Sequence, residues 1–270
     1  MPPPSPPPPS TTPSSMPPFD DIVYALSQKD RERHLCAMTA TRAQQGGLMA
    51  LIAFNDELAR IAHTVSEPML GKIKLQWWID VVPGILQGRP PSHPVAQALA
   101  EVRDVLAARS KELRQLAEAR NFELEPDKPT SVAELYAYAD ATGGALQMLM
   151  LDILGISDGE THQAAREVGT AWALIGTMRA LPYPAPARRD MLAQNTTVKD
   201  VLEHAVSLIK TARARTTRKE ALPALVIARL ADRHIKRLAK QGWDPARREE
   251  PPAGFGAVGA VWLGKVTKRF

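Results

Sequence analysis

Leu48, Leu51, Ile52, Asn55, Leu58, Ala59 and Ala62 fall at steps of three and four residues. That spacing lines one face of an α-helix. Patterns of this period recur along nearly the whole chain, and the two-residue alternation of a half-buried strand is almost absent. Glu67-Pro68 interrupts the first pattern. Residues 69–82 predict the next helix, stopped at Pro83-Gly84. Residues 94–118 predict a further helix, with Pro94 in its first turn. Residues 130–154 predict one capped by Thr130 or Ser131 and ended by Gly155. Residues 160–180, 197–215, 221–241 and 255–268 complete the series. The expected class is all-α, a helical bundle in a single domain of about eight or more helices. No fixed-period repeat is visible, which argues against a solenoid.

With 270 residues and 44% hydrophobic content, the chain can enclose a sizeable core. Ten of its 24 prolines fall in residues 1–18, among Ser and Thr and without charge. This composition predicts a disordered tail at 1–18, followed by one domain at 19–270. The tail has neither the features of a secretory signal nor the arginines of a mitochondrial presequence, and Met16 is an alternative start. The single cysteine, Cys36, forms no internal disulfide and is expected to be a buried filler in a reducing compartment. No apolar run is long enough to span a bilayer. Charge is uneven: residues 20–184 carry 16 Lys and Arg against 21 Asp and Glu, whereas residues 185–270 carry 18 against 8. The basic third suits an anionic membrane surface or an acidic protein partner, or is simply a solvated face. No nucleic-acid partner is expected, because no binding signature accompanies the charge.

Four segments in order carry a resemblance: Ala50-Leu51-Ile52-Ala53-Phe54-Asn55, Pro68-Met69-Leu70-Gly71-Lys72-Ile73-Lys74-Leu75-Gln76-Trp77-Trp78, Tyr138-Ala139-Asp140-Ala141-Thr142-Gly143-Gly144-Ala145-Leu146, and residues 169–184. Together they resemble the squalene/phytoene synthase family, over roughly residues 20–270. The resemblance implies an isoprenoid-synthase-like helical bundle around a deep apolar central cavity. Active members join two prenyl diphosphates, with Mg²⁺ held by aspartates so that the leaving diphosphate is neutralised. Two aspartates at i and i+4 on one helix face a second pair on another.

Fitting the first family motif on Phe54 puts its aspartate positions at Ala59 and His63. Fitting the second on Gly169 and Arg179 puts them at Ala180 and Pro184, with the family's upstream Gln and Asn at Ala173 and Gly176. Alanine, proline and glycine side chains offer Mg²⁺ no ligand, and neutral His63 is a poor one. The expectation is therefore no catalytic residue, no metal ligand and no cofactor; Mg²⁺ enters only if shifted acids such as Asp56, Glu57 or Asp140 restore prenyltransferase activity. Ala53-Phe54-Asn55-x-Glu57-Leu58-Ala59, Val65-Ser66-Glu67, Trp77-Trp78 and Met178-Arg179-Ala180-Leu181-Pro182-Tyr183 more closely resemble an atypical branch of the family, one that includes a mitochondrial assembly factor of respiratory complex I.

That likeness implies a non-catalytic assembly or scaffold factor for a respiratory membrane complex, with a protein partner there. It implies a cytoplasmic location, peripheral to the inner membrane. An isoprenoid- or lipid-binding protein and an active Mg²⁺-dependent prenyltransferase are the alternatives. The expected cavity-lining or ligand-binding residues are Asn55, Ala59, His63, Tyr138, Gly143, Trp172, Gly176, Arg179 and Ala180. Among individual residues, Asn55 needs hydrogen-bond partners, in the core or on a ligand. Trp77 and Trp78 are both expected to pack in the core. Arg179 suits an ion pair or an oxyanion. Gly143-Gly144 suggests close helix approach or a kink. His34, His93, His162, His204 and His234 read as surface or cap residues. The amphipathic, basic segment with Phe255, Val258, Val261, Trp262 and Val266 either closes the bundle or lies on a membrane surface.

Overall fold

The computed structural model describes residues 18–247 and 255–270. The Pro-rich stretch, apart from Pro18, lies outside the described residues. In chain order the helices are α1 (Pro18–Lys29), α2 (Arg31–Ala37), α3 (Arg42–Thr64), α4 (Pro68–Leu86), α5 (Pro94–Ala100), α6 (Arg103–Leu106) and α7 (Ser110–Glu118). They continue with α8 (Val132–Ala139), α9 (Ala145–Ile153), α10 (Gly159–Ala180), α11 (Val198–Ala214), α12 (Leu222–Leu225), α13 (Ile227–Lys240) and α14 (Phe255–Thr267). Among the described residues there is no strand, as the missing alternation predicts.

Helix α3 forms where the apolar stripe predicts one, and its buried face runs through Leu48, Leu51, Ile52, Asn55, Leu58 and Ala62. Thr41 and Gln44 close its start as a capping box. Helix α10 is the central element, packing against α8, α9, α11 and α13, and Asp158 caps its first turn by accepting from the Thr161 N–H. Gly155 ends α9 with φ +75°, a left-handed conformation that glycine adopts without steric cost.

Several stretches differ from expectation, among them residues 221–241, which divide into α12 and α13 on either side of Val226. Helix α4 continues through Pro83 to Leu86. Val82 and Ile85, both fully buried on either side of the proline, hold that turn against the core and outweigh the lost hydrogen bond. Residues 94–118 are divided among α5, α6, a 3₁₀ turn and α7. There the chain tightens into i→i−3 hydrogen bonds, Glu101 N to Ala98 O and Val102 N to Leu99 O, with Leu99 and Leu106 both in the core. Between α8 and α9 the helix widens into a π-turn at Asp140–Gly144. A Cβ on Gly143 would overlap the Gly169 carbonyl oxygen, and one on Gly169 would overlap that of Gly143. Two backbones thus meet where neither residue carries a side chain, so both the kink and the close approach suggested by Gly143-Gly144 are present.

Trp78 packs edge-to-face on Phe54 at 5.2 Å. Trp77, expected in the core, is instead 40% exposed; adjacent residues on a helix point about 100° apart, and only one of them faces inward. On α14, Val261 is buried while Val258, Trp262, Leu263 and Val266 are exposed.

Candidate functional site

Asn55, Ala59 and His63 follow one another at i, i+4 and i+8 on α3, so they share a face. Trp172, Gly176 and Ala180 do the same on α10, and the α8 end with its π-turn supplies Tyr138 and Gly143. These elements enclose two adjoining cavities. The larger, about 550 Å³, is lined by Asn55, Ala59, Trp172, Gly176 and Arg179, with Glu32 and His234 among its other walls. The smaller, about 170 Å³, is lined by Asn55, Ala59, His63, Tyr138, Gly143, Trp172, Gly176 and Ala180, together with Arg33, Arg120, Glu123 and Arg188. All nine residues picked from the sequence therefore line one cavity or the other. Ala173 also faces the smaller one. Pro184 does not: α10 ends at Ala180, and Pro184 borders a separate cavity beside residues 181–192.

The polar lining is a hydrogen-bonded network led by Arg120. Its Nη2 donates to Asn55 Oδ1 at 3.0 Å, and its Nη1 donates to Glu123 Oε1 at 3.0 Å and to the Tyr138 hydroxyl at 2.7 Å. That hydroxyl in turn donates to Glu123 Oε1 at 2.6 Å. Burial pushes the Tyr138 phenol up, so it stays protonated. Asn55 is thus a core hydrogen-bonder and a cavity wall at once. Burial, then the charges of Arg188 and Arg120, hold His63 below its usual range, with Glu123 opposing.

In the larger cavity His234 Nε2 lies 2.7 Å from Glu32 Oε1, and Arg179 Nη1 lies 3.4 Å from Glu32 Oε2. His234 was expected to be a surface or cap residue. It is buried, because its helix position turns it inward against Trp172. Burial pulls the His234 imidazole below its usual range despite Glu32. Burial raises the Glu32 carboxyl, but the hydrogen bond to His234 and the charges of His234 and Arg179 outweigh it and hold it low. Cys36 is buried, and its thiol is pushed up by that burial.

Mg²⁺ requires several hard oxygen ligands in near-octahedral order, and this lining does not fit it. Ala59, Ala173, Gly176 and Ala180 carry no donors, and Glu123 is engaged by Arg120 and Tyr138. The shifted acids do not replace them. Asp56 borders the larger cavity 3.7 Å from Arg60. Glu57 faces a different hollow beside Trp77 and Trp78, and Asp140 is paired with Arg166 and Thr170. Among the described residues no group of three or more His, Cys, Asp or Glu side chains could hold a metal ion.

Arg33, Arg120, Glu123, Arg188, Glu32 and His234 escaped the sequence reading. Arg120 and Glu123 stand three apart in a charged stretch, a spacing shared with many solvent ion pairs. Arg188 follows a Pro-rich turn and matches no pattern, so only the fold brings it to Glu123.

The sequence and the helical fold have counterparts among known proteins. Residues 26–197 match the squalene/phytoene synthase family, and the chain belongs to that family. Its relatives include NADH dehydrogenase (ubiquinone) complex I, assembly factor 6 of Bos taurus, 33% identical over 167 residues, 62% of this chain and 50% of that protein. The Rattus norvegicus protein of the same name is 31% identical over 182 residues, 67% of this chain and 54% of that protein. The chain thus spans about half the length of these relatives. A crystal structure of a dehydrosqualene synthase in complex with ligand superposes with a TM-score of 0.70 at 15% identity, covering 93% of this chain and 96% of that one. The fold is accordingly that of the isoprenoid synthases.

Proposed function

We propose that this protein retains the isoprenoid-synthase fold without prenyl-condensing activity and serves as an assembly or scaffold factor for a respiratory membrane complex of the complex I type. The observation that carries the non-catalytic half is the cleft itself. Where the family motifs would set facing carboxylates, Ala59, His63, Ala173, Gly176 and Ala180 line the wall, and arginines surround Glu123, the carboxylate that lines the smaller cavity. The assembly half is supported by relatives named as complex I assembly factors. No helix among the described residues is long and apolar enough to cross a membrane, so contact with the inner membrane is peripheral on this reading. The exposed apolar residues of α14, beside Lys265, Lys268 and Arg269, suit such contact.

Deletion of the gene should lower NADH:quinone oxidoreductase activity in membranes and leave incomplete complex. Unchanged assembly would remove the scaffold role. Formation of a condensed product from farnesyl or geranylgeranyl diphosphate with Mg²⁺ by the purified protein would remove the non-catalytic one.

A further inference from the structure

Helix α4 is apolar on two opposite faces. Its inner face buries Gly71, Leu75, Trp78, Ile79, Val82 and Ile85, with α3, α5 and α7 among the helices packed on it. Its outer face carries Met69, Leu70, Ile73 and Trp77, all exposed. Steps of about 100° per residue gather these four into one stripe, on the side away from the buried set. Met69, Ile73 and Trp77 stand at i, i+4 and i+8, the ridge that packs into the groove of a second helix. A helix that is apolar all round is ordinarily covered on both sides. Among the described residues, these four side chains stay exposed.

The two borders of the stripe carry opposite charges. Lys74 flanks it on the Leu70 side and, with Arg60 of α3, lines a hollow of about 490 Å³ beside Trp77. Glu57 is the one acid in that lining. Arg60 reaches Asp56 only at 3.7 Å, and Lys74 has no ion pair among the described residues. On the Met69 side stands exposed Asp80, whose Oδ1 accepts from Gln76 Nε2 at 2.8 Å. The contrast is α14, where Lys265, Lys268 and Arg269 border the apolar residues and residues 255–270 contain no acid. An anionic lipid surface suits that uniformly basic border and repels Asp80 and Glu57. A second copy is disfavoured by size. At 40% to 64% exposure the four side chains present on the order of 400 Å² of apolar surface, half of the roughly 800 Å² per partner in a stable dimer.

We propose that the outer face of α4 docks an amphipathic helix of a protein partner. That helix carries acidic residues along one edge of its apolar face, to meet Lys74 and Arg60, and a basic residue along the other, to meet Asp80. Its apolar side chains at i, i+3 or i+4, and i+7 pack on Met69, Ile73 and Trp77. One of them enters the hollow beside Trp77 as an anchor. The opposed border charges set its direction and exclude wrong partners more than they add affinity. The modest area gives a transient complex, which suits a factor that leaves once its product is assembled. The inference deepens the scaffold reading by naming the kind of partner, and rests on it.

In the full-length protein Met69 is replaced by the photocrosslinker p-benzoylphenylalanine, and the gene is returned to a strain that lacks it. Adducts formed under ultraviolet light in those cells are mapped by peptide mass spectrometry. The expected adduct lies on an amphipathic helix of another protein, with acids along one edge of its apolar face. Ile73→Glu should lower its yield at least about tenfold, within the range of hot-spot losses, and leave the melting temperature unchanged because Ile73 is exposed. Lys74→Glu should lower it about threefold, as a border charge does. If Ile73→Glu fails to fold, Leu70→Glu decides by the same loss. Adducts to a second copy, to lipid, to residues 1–17 of the same chain or to a protein surface without such a helix overturn the inference. So does the absence of an adduct, or one indifferent to these substitutions. The scaffold reading survives those failures when the unsubstituted gene restores NADH:quinone oxidoreductase activity to the strain. A strain whose complex assembles fully without the gene removes that reading instead.

Discussion

Gly143 and Gly169 each present a backbone carbonyl where the other would carry a Cβ. Gly169→Ala should therefore destabilise the protein by about 3 kcal/mol, the upper range of overpacking, read as a lower urea midpoint at unchanged slope. Gly176 provides the contrast on the same helix, because nothing lies within 4 Å of its Cβ position. There Ala should stabilise by up to about 1 kcal/mol through helix propensity alone; equal effects at the two sites would sink the close-contact argument. Arg120 makes a different case. Arg120→Leu would strip the main cation from buried Glu123, and unfolding curves should show a loss of about 3–5 kcal/mol. No local pattern distinguishes Arg120 from a surface arginine, whereas a glycine pair inside a helix is a visible irregularity.

At the scale of the element, α3 and α10 were legible almost in full. Both are long, begin with a recognisable cap, and carry buried residues over several turns. The errors fell where local signal and tertiary packing disagree. Pro83 reads as a stop, yet α4 runs past it because the buried residues around it are held by the core. Pro83→Ala should therefore raise stability by about 1–3 kcal/mol by restoring a backbone donor and relieving the ring, measured by chemical denaturation. No gain would mean that this turn needs the proline's fixed backbone angle. The division of 94–118 had no proline or glycine to announce it. Its cause lies in the core positions that Leu99 and Leu106 must reach.

For the whole molecule, four histidines share a sign. Burial is the first cause that holds His34, His63, His204 and His234 below the ordinary value of 6.5. The unfolded chain thus takes up these protons more readily, so the stability they contribute is present above about pH 6.5 and is lost as the pH falls. Glu32, held below its ordinary 4.5, adds a second loss as the pH drops further, through its lowered folded-state value. Denaturation across this range should show the decline, shallower in His234→Gln; a flat profile from about pH 7 to pH 5 would contradict a neutral imidazole at His234, the buried one of the four. The all-α class, the long helices and the family were all determined by the sequence itself, because periodicity and side-chain chemistry are local properties. Tertiary structure alone decided that Arg33, Arg120 and Arg188 converge on one small cavity and that His234 turns inward to Glu32. Those partners are separated by tens to hundreds of residues, and such contacts leave no spacing to read along the chain.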